Sequence, residues 1–139
     1  MDIVKYKAWD TKNNKPAKLA LRFLEMKDSY LAAYNPTVIE IMEFINAYDK
    51  NGIELYEYDI IEFNKHVIDK NPTVAYIKWD KLELAYVAVI IDSETDENPR
   101  TYNYSKVNGY VRLSQIINNC KKIGNAFENR NIYNNYRTK

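Results

Sequence analysis

One histidine, His66, and one cysteine, Cys120, are all the chain offers for imidazole or thiol chemistry. A catalytic Cys–His pair needs the two side chains within hydrogen-bond reach. His66 sits in a polar, loop-like stretch and Cys120 near the end of a short apolar helix, which favours structural roles for both. Zinc sites built from Cys and His clusters are excluded by the same counts. Asp92-Ser93-Glu94-Thr95-Asp96-Glu97 begins like a calcium loop, with carboxylates at alternating positions. However, Glu97 takes the place of the loop's required glycine and Asn103 that of its bidentate glutamate. Glu54, Glu57, Asp59 and Glu62 could present carboxylates to magnesium, but strand alternation would put Glu57 and Asp59 on one face and Glu54 and Glu62 on the other. The three glycines, at 52, 109 and 124, cannot be written as a phosphate-binding glycine loop. No catalytic residue, metal or cofactor is therefore assigned, and the chain reads as non-enzymatic.

Binding is the chemistry that remains. Lys and Arg total 20 against 19 Asp and Glu, a formal net charge of +1, so attraction to a phosphate backbone has no global source and a nucleic-acid site would have to be a local patch. Aromatic residues are abundant, with 13 tyrosines. Tyr102 and Tyr104, two apart, share one face if their segment is a strand, with Arg100, Lys106, Tyr110 and Arg112 nearby. Such a face can stack bases or anchor a protein interface. Tyr56, Tyr58, Tyr102, Tyr104 and Arg112 are the binding candidates, for a protein partner first and for single-stranded nucleic acid or a nucleotide as the alternative.

The elements that must position these residues are mostly strands. Val4 to Trp9 alternates and ends at Asp10-Thr11-Lys12-Asn13-Asn14. From Pro16 to Tyr34, helical spacing and propensity compete with the alternation of Leu19, Leu21 and Phe23, and both assignments stay open. Thr37 to Ile45 is rich in β-branched residues, and Asn51-Gly52 is a strong hairpin signal that leads into a strand from Ile53 to Phe63. Val74 to Trp79 and Leu82 to Ile91 pair around a tight connection at Asp80-Lys81, and an acidic loop follows from Asp92 to Arg100. Tyr102 to Leu113 should hold a hairpin around Asn108-Gly109. Ser114 is the expected N-cap of a short helix, and Lys121 to Glu128 returns to strand. The polar tail, residues 131–139, is expected to fray. Trp9-Asp10 and Trp79-Asp80 repeat the dipeptide of WD propellers, but two copies cannot build blades, so the tryptophans are expected to be core or rim anchors. With 139 residues the pattern predicts a mainly β, small barrel- or sandwich-like single domain with one or two short helices.

Three segments resemble the YopX-like family of phage and prophage proteins. Lys5-Tyr6-Lys7-Ala8-Trp9-Asp10 is similar to the family's opening Lys-(Phe or Tyr)-(Arg or Lys)-Ala-Trp-Asp. The stretch from Ile41 to Ile61, through Asp49-Lys50-Asn51-Gly52 and Tyr56-Glu57-Tyr58-Asp59, resembles a longer signature in which Thr-Gly-Leu leads through Asp-Lys-Asn-Gly to Tyr-Glu-Gly-Asp-Ile. Ile123-Gly124-Asn125-Ala126-Phe127-Glu128-Asn129 is similar to Ile-Gly-Asn-(Ile or Val)-(Tyr or Phe)-Glu-Asn. The resemblance implies a phage-encoded, predominantly β domain over residues 1–130 and brings no catalytic set. It marks Trp9, Asp10, Asp49, Asn51, Gly52, Tyr56, Glu57, Asp59, Gly124, Asn125, Glu128 and Asn129 as fold-determining. Two of the family's glycines are Asn46 and Tyr58 here, so either Tyr58 is extended or its turn differs from the family's. The family's proline after the last motif is Arg130.

The resemblance also implies an accessory protein that acts by binding, with modulation of a host defence or replication factor as its expected role. The expected location is the cytoplasm of the bacterial host. Its longest apolar run, Leu84 to Ile91, falls well short of the roughly 20 residues of a membrane-spanning helix, the start lacks a signal peptide's apolar core, and one cysteine allows no internal disulfide. Exposed strand edges leave homo-oligomerisation open.

Overall fold

The computed structural model describes residues 5–17, 39–64, 71–100 and 109–138. Their architecture is mainly β, as the alternation implies: two antiparallel sheets and two short helices. The first sheet has strand order β2-β1-β3-β4, with β1 Tyr6–Asp10, β2 Lys15–Ala17, β3 Ile39–Tyr48 and β4 Glu54–Tyr56. The second has the order β8-β7-β6-β5-β9, with β5 Asp59–Phe63, β6 Thr73–Asp80, β7 Ala85–Ile90, β8 Tyr110–Arg112 and β9 Lys121–Asn125. Helix α1 is Leu113–Ile116 and helix α2 is Arg130–Arg137.

The second sheet is covered on both faces, which explains why β6 carries the unbroken apolar run Val74-Ala75-Tyr76-Ile77. Alternate residues serve different cores. Val74, Tyr76, Val87 and Val89 pack with Met42, Phe127 and Tyr133, and Trp9 flanks them. Ala75, Ile77 and Ala88 pack with Leu55, Leu113 and Cys120 on the other side. Cys120 is thus a core residue, and burial pushes its thiol up to about 11, opposite to the depressed value a nucleophile needs.

The expected strand from Ile53 to Phe63 is in fact two strands, broken at Glu57-Tyr58. The amide of Glu57 donates to the Glu43 carbonyl of β3 (2.9 Å) and that of Tyr58 to the Ile77 carbonyl of β6 (2.6 Å), so the chain changes sheets between consecutive residues. Ser114 is no cap either: Arg112 takes the N-cap position of α1 and no side chain caps it. Strand β9 ends at Asn125, short of the expected Glu128. Residues 131–139, expected as a fraying tail, belong instead largely to α2, whose Tyr133 is fully buried and meets Tyr76 edge-on at 5.8 Å between centroids. Ile132 and Tyr136, four residues apart and so on one face of the helix, flank the same core.

Helix α2 also straps the acidic loop. Arg137 Nε donates to the Thr95 carbonyl (3.0 Å), the Tyr133 hydroxyl to that of Asp96 (2.6 Å) and Arg130 Nη2 to that of Glu97 (2.8 Å), three successive acceptors. Among the described residues no helix is long and apolar enough to cross a membrane. Residues 18–34 of the segment with two open assignments, Tyr102, Tyr104 and His66 lie outside the described residues, while Pro16 and Ala17 belong to β2.

Truncation after Asn129 is expected to destabilise the protein, and Tyr133→Ala alone should cost about 3–5 kcal/mol, as large-to-small aromatic changes in a core do. Urea denaturation with an unchanged slope checks this; a midpoint equal to wild type would mean the helix contributes nothing.

Candidate functional site

The motif residues converge, but on a structural task. Asp59, with no solvent exposure, accepts the Tyr56 amide (2.8 Å) and the Asn125 side-chain amide (3.0 Å), and faces Lys122 Nζ at 3.3 Å. Asn125 returns its own oxygen to the amides of Phe127 (2.9 Å) and Glu128 (3.3 Å), while Asn129 Oδ1 accepts the Asn125 amide (3.0 Å). Gly124 is needed for close approach: a Cβ there would lie 3.1 Å from both Asn129 Oδ1 and Ile132 Cδ1. Asp49 joins the same strand from the opposite end, accepting the amides of Asn51 (2.8 Å), Ile53 (2.9 Å) and Lys122 (2.9 Å). Burial raises the Asp59 carboxyl above its ordinary value against the pull of Lys122 and Asn125. Burial pushes Asp49 the same way, but its three backbone donors prevail and hold it below.

The carboxylates do not converge. Glu54 holds Lys5 Nζ at 2.7 Å and the Tyr56 hydroxyl at 3.0 Å, Glu57 accepts the Trp79 amide at 3.2 Å, and Asp59 is enclosed as above. The alternation argument for Glu57 and Asp59 fails because Glu57 lies in the turn. Asp92 closes on its own loop, accepting the Glu94 amide at 2.9 Å, while Thr95 Oγ1 accepts the Asp92 amide at 2.8 Å. Among the described residues no group of three or more His, Cys, Asp or Glu could hold a metal ion.

Of the binding candidates, Tyr56 and Tyr58 are core residues rather than surface ones. Burial pushes the Tyr56 phenol up to about 12, helped by its hydrogen bond to Glu54. Tyr58 is 7% exposed, meets Phe127 edge-on at 4.9 Å and lies roughly parallel to Tyr76 at 6.4 Å. Its φ is +70° and that of Asn46 is +58°, so the two positions where the resembled pattern has glycine both take the left-handed region. Tyr58 is therefore not extended; its side chain is carried through a left-handed backbone geometry that glycine favours.

Arg112 is exposed, and it leads to a surface that the sequence patterning missed. It lies opposite Val87 on β7 and pairs with Glu83 Oε2 (Nη2 2.5 Å, Nε 3.0 Å), while the Tyr110 hydroxyl donates to Glu83 Oε1 at 2.9 Å. Glu83 belongs to the loop Lys81–Leu84 joining β6 to β7. That loop and the β1–β2 loop, Thr11–Asn14, are built alike. Each follows a Trp-Asp dipeptide, and Asp10 Oδ1 accepts the amides of Lys12 and Asn13 (both 3.0 Å) as Asp80 Oδ1 accepts those of Leu82 (2.8 Å) and Glu83 (3.1 Å). Each loop also ends at positive φ, +53° at Asn14 and +52° at Leu84. The Trp-Asp pairs thus mark aspartate-capped hairpin loops.

The loops differ in chemistry. Lys12 and Asn14 are polar, whereas Leu82 and Leu84 are 76% and 75% exposed, and Trp79, against Tyr86 across the strands at 5.1 Å, is 41% exposed. Asparagine tolerates the left-handed region; leucine there costs about 1–2 kcal/mol.

No protein-family model matches the chain, and no curated protein matches it. Among solved structures it is similar to the protein EF1440 from Enterococcus faecalis, with 17% sequence identity, a TM-score of 0.54, and coverage of 94% of this chain and 98% of that one. At that identity the likeness shows a shared fold alone.

The depressed Asp49 carboxyl contributes stability that is present above the ordinary carboxylate value of about 4 and is lost as pH falls through its lower folded value. Asp49→Asn is expected to flatten this acid limb of a pH–stability curve measured by urea denaturation. Parallel wild-type and variant curves below pH ~4 would contradict the assignment.

Proposed function

We propose that the protein is a non-enzymatic binding protein of the YopX-like phage and prophage family. In this reading it acts in the cytoplasm of a bacterial host by docking the β6–β7 hairpin on a host protein such as a defence or replication factor. One observation carries the docking part: in two loops of the same construction, one has leucines where the other has lysine and asparagine, and those leucines are exposed, one at a backbone geometry leucine disfavours. Nothing in the fold gains from this arrangement, whereas an interface would, because exposed apolar side chains beside an arginine and aromatic rings are what partner surfaces use as anchors. Arg112, held by Glu83 at the base of the loop, supplies the polar rim.

The family part is supported by the spatial roles of the motif residues. Asp59 and Asn125 tie the second motif to the third, and Asn46 and Tyr58 keep glycine-like geometry. A nucleic-acid surface built on the tyrosines would have to do without Tyr56 and Tyr58, whose rings are enclosed.

The double change Leu82→Lys, Leu84→Asn, which gives this loop the residues of the other, should leave the fold intact and raise stability by up to about 1 kcal/mol through relief at residue 84. It should also abolish recovery of a host protein that co-purifies with the wild type from an infected or lysogenic cell. Equal recovery by both proteins would place the interface elsewhere, and no host protein above background with the wild type would count against docking altogether.

A further inference from the structure

A cavity of about 420 Å³ opens where the β1–β2 loop, the strapped acidic loop, the turn after β9 and the start of α2 meet, with Thr11, Asn14, Asn98, Arg100, Phe127 and Arg130 among its lining. That volume is in the range of small-molecule sites. It is more than ten times the liquid-volume share of a single water, about 30 Å³.

Both arginines are held in place from behind. Arg130 packs its guanidinium over the Tyr133 ring, 4.9 Å from the centroid, and gives Nη2 to the Glu97 carbonyl at 2.8 Å. Arg100 lies 5.7 Å from the Phe127 centroid, pairs through Nη2 with Glu40, and has its own carbonyl bound by Lys78 Nζ at 2.9 Å. Yet each fork is incomplete: Arg100 Nε and Arg130 Nη1 are buried with no hydrogen-bond partner. An unsatisfied buried donor costs about 1–3 kcal/mol, more when charged, so two on arginines of one cavity are a poor investment for the fold alone. Glu97 also lines the cavity; its carbonyl accepts from Arg130, and the residue is exposed, so solvent screens its charge.

We propose that this cavity binds a small organic oxyanion, a phosphate or carboxylate received by Arg100 and Arg130 and carried on a compact body that fills the space beside Phe127. The guanidinium fork suits either oxyanion, and the volume calls for more than a bare ion. The site does not depend on the β6–β7 hairpin or on any protein partner.

The test is a chemical-shift titration of the full chain at low salt with three probes: adenosine monophosphate, benzoate and inorganic phosphate. Saturable binding of at least one organic probe is expected, with shifts centred on residues 97–100 and 127–130; which of the two binds distinguishes phosphate from carboxylate. Arg130→Gln should weaken that binding about tenfold or more, the scale of a charge-assisted hydrogen bond. Asn14→Asp adds a negative charge at the rim on a residue type that accepts the left-handed backbone. It should weaken binding in the same direction with an unchanged unfolding midpoint, which keeps the test valid if the arginine variant misfolds. No saturation by either organic probe, saturation by inorganic phosphate alone, or binding that Asn14→Asp leaves unchanged would overturn the proposal.

Discussion

The Asp59 carboxylate sits where the chain leaves one sheet and enters the other, and most of the architecture is referred to it. Its acceptance of the Tyr56 amide closes the turn through Glu57 and Tyr58, and its bond to Asn125 fixes where β9 ends and the next turn begins. The two turns then lock together, since the Ala126 amide donates to the Tyr58 carbonyl at 2.8 Å. A buried carboxylate is expensive unless its lone pairs are occupied. Here two neutral donors and one lysine occupy them, one donor from β4 and the others from β9, so the carboxylate ties a strand of each sheet to β5. The network therefore specifies a geometry more than it adds stability, which is the sense in which the motif residues are fold-determining.

Positive φ at four non-glycine residues among those described, Asn14, Asn46, Tyr58 and Leu84, separates structural necessity from surplus. The two asparagines are compatible with the left-handed region through their short polar side chains. Tyr58 is not, but its ring is packed between Tyr76 and Phe127, and burial of an aromatic side chain offsets a strain of about 1–2 kcal/mol. Leu84 has the strain without the burial. An equivalent loop in the same molecule reaches the same geometry with an asparagine, so the fold does not require a leucine there.

What could be read from the sequence follows from which interactions are local. The Asn51-Gly52 turn was legible because it rests on residue-level backbone preference, and Gly52 indeed takes φ +78°. The pairing of β6 with β7 was legible from composition and alternation. The break at Tyr58 was not, because a tyrosine in a run of apolar and acidic residues reads as strand, and only the competing carbonyls of β3 and β6 turn it. Helix α2 was missed for the matching reason: Arg130–Arg137 is rich in Asn and Tyr, which rank low in helix propensity, and the helix is held by Tyr133 in a distant core and by three loop carbonyls. Of the proposed surface, only Arg112 was visible beforehand. The leucines of the β6–β7 loop read as the start of the strand from Leu82 to Ile91, since nothing local says that a hydrophobic residue will be left outside.

A near-neutral chain lacks a long-range field to gather partners, so recognition has to come from short-range terms. In the proposed docking, the leucines of the hairpin would contribute only when desolvated against a complementary surface. The guanidinium groups of the cavity are half-buried and backed by aromatic rings, so salt screens them less than it would free surface charges. If both proposals hold, neither device would speed encounter much; both would lengthen the life of a contact once it is made. Affinity on this protein would then be set mainly by dissociation rate, with association close to the unsteered value of protein pairs. In both proposals the binding groups are anchored before a partner arrives: the β6–β7 loop by the paired strands that carry it, and the cavity arginines by Glu40, the Glu97 carbonyl and the aromatic rings behind them.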